Sequence, residues 1–92
     1  MAILLKVDSK DLELKVFPED KKTFSLKEMY KYTNSTIVEF IYFENHIMII
    51  DEEGKLNDKP LNELATYYFR KNKKVHDIIV GDALICELSE IK

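Results

Sequence analysis

The chain has one cysteine, two glycines, two prolines and no tryptophan in 92 residues, and no stretch of apolar residues long enough to span a bilayer. Each scarcity removes a class of protein. A single cysteine, Cys86, cannot close an internal disulfide, so the expected compartment is a reducing interior. The opening MAILLKVD meets charge too early for a signal peptide or a membrane helix, and no membrane association is expected. With so few glycines and prolines, most of the chain should lie in regular elements. No charge sign dominates: a net charge of −3 offers no general attraction to nucleic-acid phosphates, and strong nucleic-acid binding is not expected.

What is present is the composition of a globular domain, 46% apolar and 34% charged, which excludes simple disorder. The length gives one domain, residues 1–92, with a single modest core. Such a core leaves part of a sheet face uncovered, and self-association is a common remedy. A homo-oligomer is therefore expected.

Ala2 to Val7 and Leu12 to Phe17 read as strands. The second alternates Leu12, Leu14 and Val16 against Glu13 and Lys15, and Asp8-Ser9-Lys10-Asp11 supplies hairpin turn chemistry. Ser25-Leu26-Lys27-Glu28 is a capping box, with Phe24 placed to staple onto Met29, and Leu26, Met29, Tyr30 and Thr33 fall on one face of the helix it opens. Asn34-Ser35 ends that helix. Thr36 to Phe43 and His46 to Ile50 are dense in β-branched and aromatic residues around a two-residue Glu44-Asn45 turn, the expected centre of the sheet. Pro60 suits the first turn of a helix running to about Asn72, with Leu61, Leu64, Ala65 and Tyr68 as its buried stripe. Asp77 to Val80 and Ala83 to Leu88, around a Gly81-Asp82 turn, read as two closing β segments. The class is α+β: a mixed or antiparallel sheet of about five or six strands with two helices.

Candidate chemistry is thin. The acidic turn Asp51-Glu52-Glu53-Gly54 has carboxylates but not the alternating spacing of a calcium loop, so a solvated turn is favoured and Gly54 is expected to supply a positive φ. His46 and His76 lack partners at ligand spacing, and Cys86 reads as a small core residue. Glycine-rich phosphate loops, Ser-His-Asp sets and HExxH are absent, so no catalytic residue, metal or cofactor is assigned. Glu39 stands out as a carboxylate inside an apolar strand. Such a residue more often marks the wet face or pairs with a neighbouring lysine, but with apolar flanks on both sides burial is the alternative, and it would raise the pKa. The basic run from Arg70 to Lys74, near Tyr67, Tyr68 and Phe69, could contact phosphate with aromatic stacking, but in a net-acidic chain a charged helix end is the favoured reading. Asn62, Thr66 and Arg70 recur every four residues, which lines an amide, a hydroxyl and a guanidinium along one helix edge. With Lys55 nearby, that edge is the leading candidate for a ligand-reading wall, although a polar helix surface is the blander alternative.

The order of IVEFIYF, IMIIDEEGKLNDKPLNELAT and DIIVGDALIC resembles a small family of uncharacterised proteins found largely in bacteriophages, prophages and other mobile elements. The likeness rests on Glu52-Glu53-Gly54-Lys55-Leu56, Pro60-Leu61-Asn62, Ala65-Thr66 and Val80-Gly81-Asp82. Where relatives often carry glycine after the first helix, this chain has Asn34-Ser35-Thr36; where they carry Gly-Leu before PLN, it has Asp58-Lys59. The resemblance implies a non-enzymatic protein acting in the cytoplasm of an infected bacterium. The first expectation is capture of a small nucleotide-derived immune signal without cleavage, with Asn62 and Thr66 orienting the ligand, Arg70 or Lys55 meeting phosphate, and Glu39 at the site. The alternative is inhibition of a host defence protein complex, of the anti-CRISPR or anti-restriction type.

Overall fold

A computed structural model describes residues 2–7, 13–73 and 76–91. The turn expected at residues 8–11, together with Leu12 and Lys74, lies outside the described residues. Five strands form one fully antiparallel sheet: β1 (Ala2–Leu5), β2 (Glu13–Val16), β3 (Val38–Tyr42), β4 (His46–Asp51) and β5 (Ala83–Glu87), in the order β2-β1-β5-β4-β3. Two helices, α1 (Leu26–Thr33) and α2 (Glu63–Lys73), pack on opposite faces, and a short 3-10 turn (Leu88–Glu90) follows β5. The α+β expectation holds.

Local chemistry explains the first helix. Ser25 Oγ accepts from the Glu28 amide at 3.1 Å and Glu28 returns a carboxylate to the Ser25 amide at 2.9 Å, so the capping box forms as read. Those bonds to its charged form, led by the Ser25 amide, hold the Glu28 pKa below its ordinary value. Asn34 closes the helix in the left-handed region at φ 55°. Leu26, expected on the buried face, is exposed; Met29 and Thr33 do the burying.

Register sorts the strands into two faces. Leu14, Val16, Ala2, Leu4, Leu84, Cys86, Ile47, Ile49, Val38 and Phe40 face α1 and make a closed core with Phe24 and Met29. On the other face Leu5, Ala83, Ile85, Met48 and Ile50 meet Ala65 of α2 and Ile79. The alternation read in the second strand therefore puts Leu14 and Val16 inward.

Several expectations are corrected. The β3–β4 hairpin forms around Glu44-Asn45, with the Phe43 amide donating to the His46 carbonyl at 2.8 Å, but it is not the centre of the sheet. β5 is central and β3 lies at an edge, because the C-terminal strand inserts between β1 and β4. Residues 77–80 form no strand; Val80 makes only an isolated bridge with Leu61. Helix α2 begins after Asn62, so Pro60 stands before the cap and Leu61 is exposed instead of belonging to the buried stripe. Gly54 has no positive φ. Its small size is what the turn uses, since a Cβ there would sit 3.0 Å from Val80 Cγ2 and 3.3 Å from the Asp51 carbonyl oxygen.

A helix about 10 Å wide covers only two or three strands spaced about 4.8 Å apart. On the α1 face the segment around Phe24 and the C-terminal Ile91 help close the remainder, joined by the Phe24 amide donating to the Glu90 carbonyl at 2.7 Å. Among the described residues the α2 face has no such help on its β1–β2 side, and a cleft lies there.

Candidate functional site

The polar residues that looked placed in the sequence converge on one segment of the protein itself. Asn62 is 2% exposed. Its Oδ1 accepts from the Ala65 amide at 3.0 Å, which makes it the N-cap of α2, while Nδ2 donates to the Leu5 carbonyl at 2.8 Å and the Gly81 carbonyl at 2.9 Å. Thr66 Oγ1 donates to the Ile79 carbonyl at 3.1 Å and accepts from the Ile79 amide at 2.9 Å. Arg70 continues the row, Nε donating to the Asp77 carbonyl at 3.0 Å and Nη2 to the His76 carbonyl at 3.1 Å. The edge exists, but it is turned toward residues 76–81. It stitches that irregular segment to the helix, satisfying backbone groups that have no sheet partner. Asn62 and Thr66 are thus occupied by structure.

The motif residues around them join the same lock. The Gly81 amide donates to the Pro60 carbonyl at 2.8 Å with Gly81 at φ 76°, and a Cβ on it would meet Lys59 Cδ at 2.9 Å. Asp82 Oδ1 accepts from the Val7 amide at 3.0 Å. Lys59 Nζ reaches buried Asp51 Oδ2 at 2.7 Å and the Thr33 and Asn34 carbonyls at 3.1 and 2.7 Å, tying the end of α1 to the acidic turn. Asp51 Oδ1 accepts from the Glu53 amide at 2.9 Å. Asp51, the one buried carboxylate of the turn, is therefore committed to the fold, and no group of three metal-ligating side chains occurs among the described residues.

Lys55 and Glu39 do come together. They line one cleft of about 310 Å³ with Phe40, Phe69 and Asp77, beneath β3. Glu39 is exposed on the edge strand opposite Ile50, so it has the wet-face placement and the buried alternative is not formed. Lys55 pairs with Asp77 at 2.5 Å, and that bond, with the Ile78 amide, lowers the Asp77 pKa. Four carboxylates, Glu39, Asp51, Glu52 and Asp77, outnumber the single lysine there. That balance disfavours an anionic guest.

The larger opening lies on the uncovered half of the α2 face. A cleft of about 590 Å³ has Ile3, Leu5 and Ile85 on its floor and Leu64 and Tyr68 along its helix side. Glu13, His46, Glu87 and Tyr67 stand at its rim, His46 opposite Glu87 in the ladder. Cys86 also borders it, but its thiol belongs to the α1-side core, where burial pushes its pKa up to about 12. Tyr67, 65% exposed, is shared with a shallow shelf formed by Leu61, Glu63, Thr66, Arg70 and Lys71 on the outer side of α2. Lys71 Nζ sits 5.8 Å from the Tyr67 ring centroid. Sequence reasoning sets the basic run from Arg70 beside Tyr67 and Tyr68 as a possible phosphate contact with aromatic stacking, but favours a charged helix end and does not single out Tyr67 and Lys71 as a row. The available signal was a second row, Glu63, Tyr67 and Lys71, spaced by four like the first.

The family model described as a domain of unknown function, DUF3846, matches residues 1–91. The chain belongs to that family. No curated protein and no solved structure matches it. The DUF3846 assignment brings no chemistry with it, so any function must be argued from the surfaces themselves.

Proposed function

We propose that this protein is a non-enzymatic binding protein that sequesters a small nucleotide-derived signalling molecule, and that the ligand lies across Tyr67. The base enters the apolar cleft beside Tyr67 and Tyr68, where Glu13 and His46 offer acceptors to its amino groups. The phosphates meet Arg70 and Lys71 on the other side of the ring. The observation that carries the reading is the sharing of one exposed tyrosine by an apolar cleft and a cationic shelf. A nucleotide has the same division: a flat, weakly hydrated base and a strongly charged phosphate. The cleft volume, about 590 Å³, falls in the range of small-molecule sites.

The motif resemblance to proteins of phages and mobile elements supports the biological half: a phage-encoded anti-defence protein working in the host bacterial cytoplasm, with an immune messenger as its ligand. In this reading Asn62 and Thr66 hold the helix that presents the site and do not touch the ligand. A second reading, inhibition of a host defence protein, is favoured by exposed Leu61 beside Tyr67, an apolar pair that a protein surface could cover.

Calorimetry with cyclic and ADP-ribose-derived nucleotides tests the first reading. The expected result is binding by the wild-type protein, its loss in Tyr67→Ala, and recovery of unaltered ligand on heating the complex. Failure of the whole panel at micromolar concentration, with stoichiometric capture of one host protein abolished by Tyr67→Ala, would transfer the site to the second.

A further inference from the structure

We propose that two copies of this chain pair antiparallel through β3, with a two-fold axis at Phe40, so that their sheets become continuous. The proposal is independent of the ligand reading and concerns the opposite side of the molecule. β3 is the outermost strand of the sheet. Its hydrogen-bond phase is fixed by two bonds, the Phe43 amide to the His46 carbonyl at 2.8 Å and the Glu52 amide to the Ile37 carbonyl at 3.1 Å. In an antiparallel ladder bonded residues alternate, so Ile37, Glu39, Ile41 and Phe43 direct their backbone groups at β4. Val38, Phe40 and Tyr42 direct theirs away from the sheet.

That phase selects the register. With the axis at Phe40, Phe40 faces the other copy's Phe40 and Val38 faces its Tyr42, so every outward amide and carbonyl of the strand gains a partner. An axis at Glu39 would leave Tyr42 unpaired and set two carboxylates directly opposite each other. One at Ile41 would leave Val38 unpaired. The favoured register instead places Glu39 across from Ile41 of the other copy, separating the two charges.

Side chains agree with backbone. Val38 and Phe40 already pack against the α1-side core, and Phe40 meets Tyr42 edge-to-face at 6.4 Å, with Tyr42 more than half exposed. Pairing would extend that apolar row across the axis, aromatic against aromatic and Tyr42 against Val38. The occupant this edge fits is a second copy because the strand matches itself in bonding phase and apolar stripe, and this register keeps its single charge, Glu39, from facing its own copy. The other edge, β2, carries two charges, Glu13 and Lys15, in four residues, where β3 carries one in five.

Sedimentation equilibrium of the full chain from micromolar to sub-millimolar concentration tests the pairing. A monomer–dimer equilibrium is expected. Tyr42→Pro removes an outward amide while leaving the β4 ladder intact, and should give a monomer with an unchanged circular dichroism spectrum. Should that variant unfold, crosslinking decides: a mixture of Glu39→Cys and Ile41→Cys proteins should form a disulfide-linked pair under mild oxidation, and neither alone should do so. A wild-type monomer at every concentration overturns the proposal and leaves the edge to a foreign strand. So does a dimer that persists in folded Tyr42→Pro, or self-crosslinking of Glu39→Cys equal to that of the mixture.

Discussion

Two rows of side chains run along α2, each spaced by four and offset by one position, about 100° of helix rotation. Asn62, Thr66 and Arg70 make up one; Glu63, Tyr67 and Lys71 make up the other. The first row is bonded to the protein's own backbone at Leu5, His76, Asp77, Ile79 and Gly81. The second borders the open cleft and shelf. Hydrogen-bonding residues at helical spacing thus record a need for partners, and an irregular neighbouring segment supplies that need as well as a ligand would. A residue free to meet a ligand is one whose polar groups the fold has not all used. Arg70 keeps guanidinium N–H groups for the shelf beyond its bonds to His76 and Asp77, whereas Asn62 and Thr66 are buried.

This contrast can be broken by mutation. Asn62→Ala removes a cap and two buried bonds and orphans two carbonyls, so it should lower unfolding free energy in urea by about 3–5 kcal/mol. Asn62→Asp keeps the cap acceptor but sets a carboxylate against those carbonyls, and should be no better. A stable Asn62→Ala protein that had lost only ligand binding would reverse the roles of the two rows. Lys59→Met, which strands buried Asp51 without its cation, should lose about 3 kcal/mol in the same measurement.

Beneath the cleft, Cys86 gives a pH-dependent readout. Its folded pKa is raised from 9.0 to about 12, so the folded chain keeps the proton longer than the unfolded one. Its contribution is complete below pH 9 and is lost as pH rises toward 12, by about 1.4 kcal/mol per unit in that window. Thermal unfolding of Cys86→Ala beside wild type should show the difference in slope.

Asn34 and Asp58 hold positive φ values of 55° and 53°. Asparagine and aspartate are the side chains that tolerate this region most readily. Asn34→Gly and Asp58→Gly should each be neutral or stabilising by less than about 1 kcal/mol in thermal melts. The smallest effect belongs to the second row. Tyr67→Ala and Lys71→Ala, both at exposed positions, should change stability by no more than about 0.5 kcal/mol. A larger loss would make that row structural too.

Legibility followed the range of the interactions. The Ser25–Glu28 box, the Asn34 stop, the Glu44-Asn45 turn and the inward Leu14 and Val16 depend on neighbours a few residues apart, and could be read directly. The sheet order could not, because β5 enters between β1 and β4 from the far end of the chain. Nor could the start of α2, which the sequence puts at Pro60 and the fold puts after Asn62. Glu39 was open to a buried reading because its flanks are apolar on both faces, and the sheet order decided for solvent by putting its strand at the edge.

What the sequence by itself determined is the two helices, five of the six expected strands and the inward face of β2, since capping, turn chemistry and periodicity act within a few residues. Only the tertiary structure decided which polar groups remain available. The Asn62 amide finds the Leu5 carbonyl 57 positions away in the chain, and no local pattern encodes that partner. The same closure that occupies Asn62 and Thr66 leaves Tyr67 and the β3 edge exposed, because two helices cannot cover both faces and both edges of a five-stranded sheet.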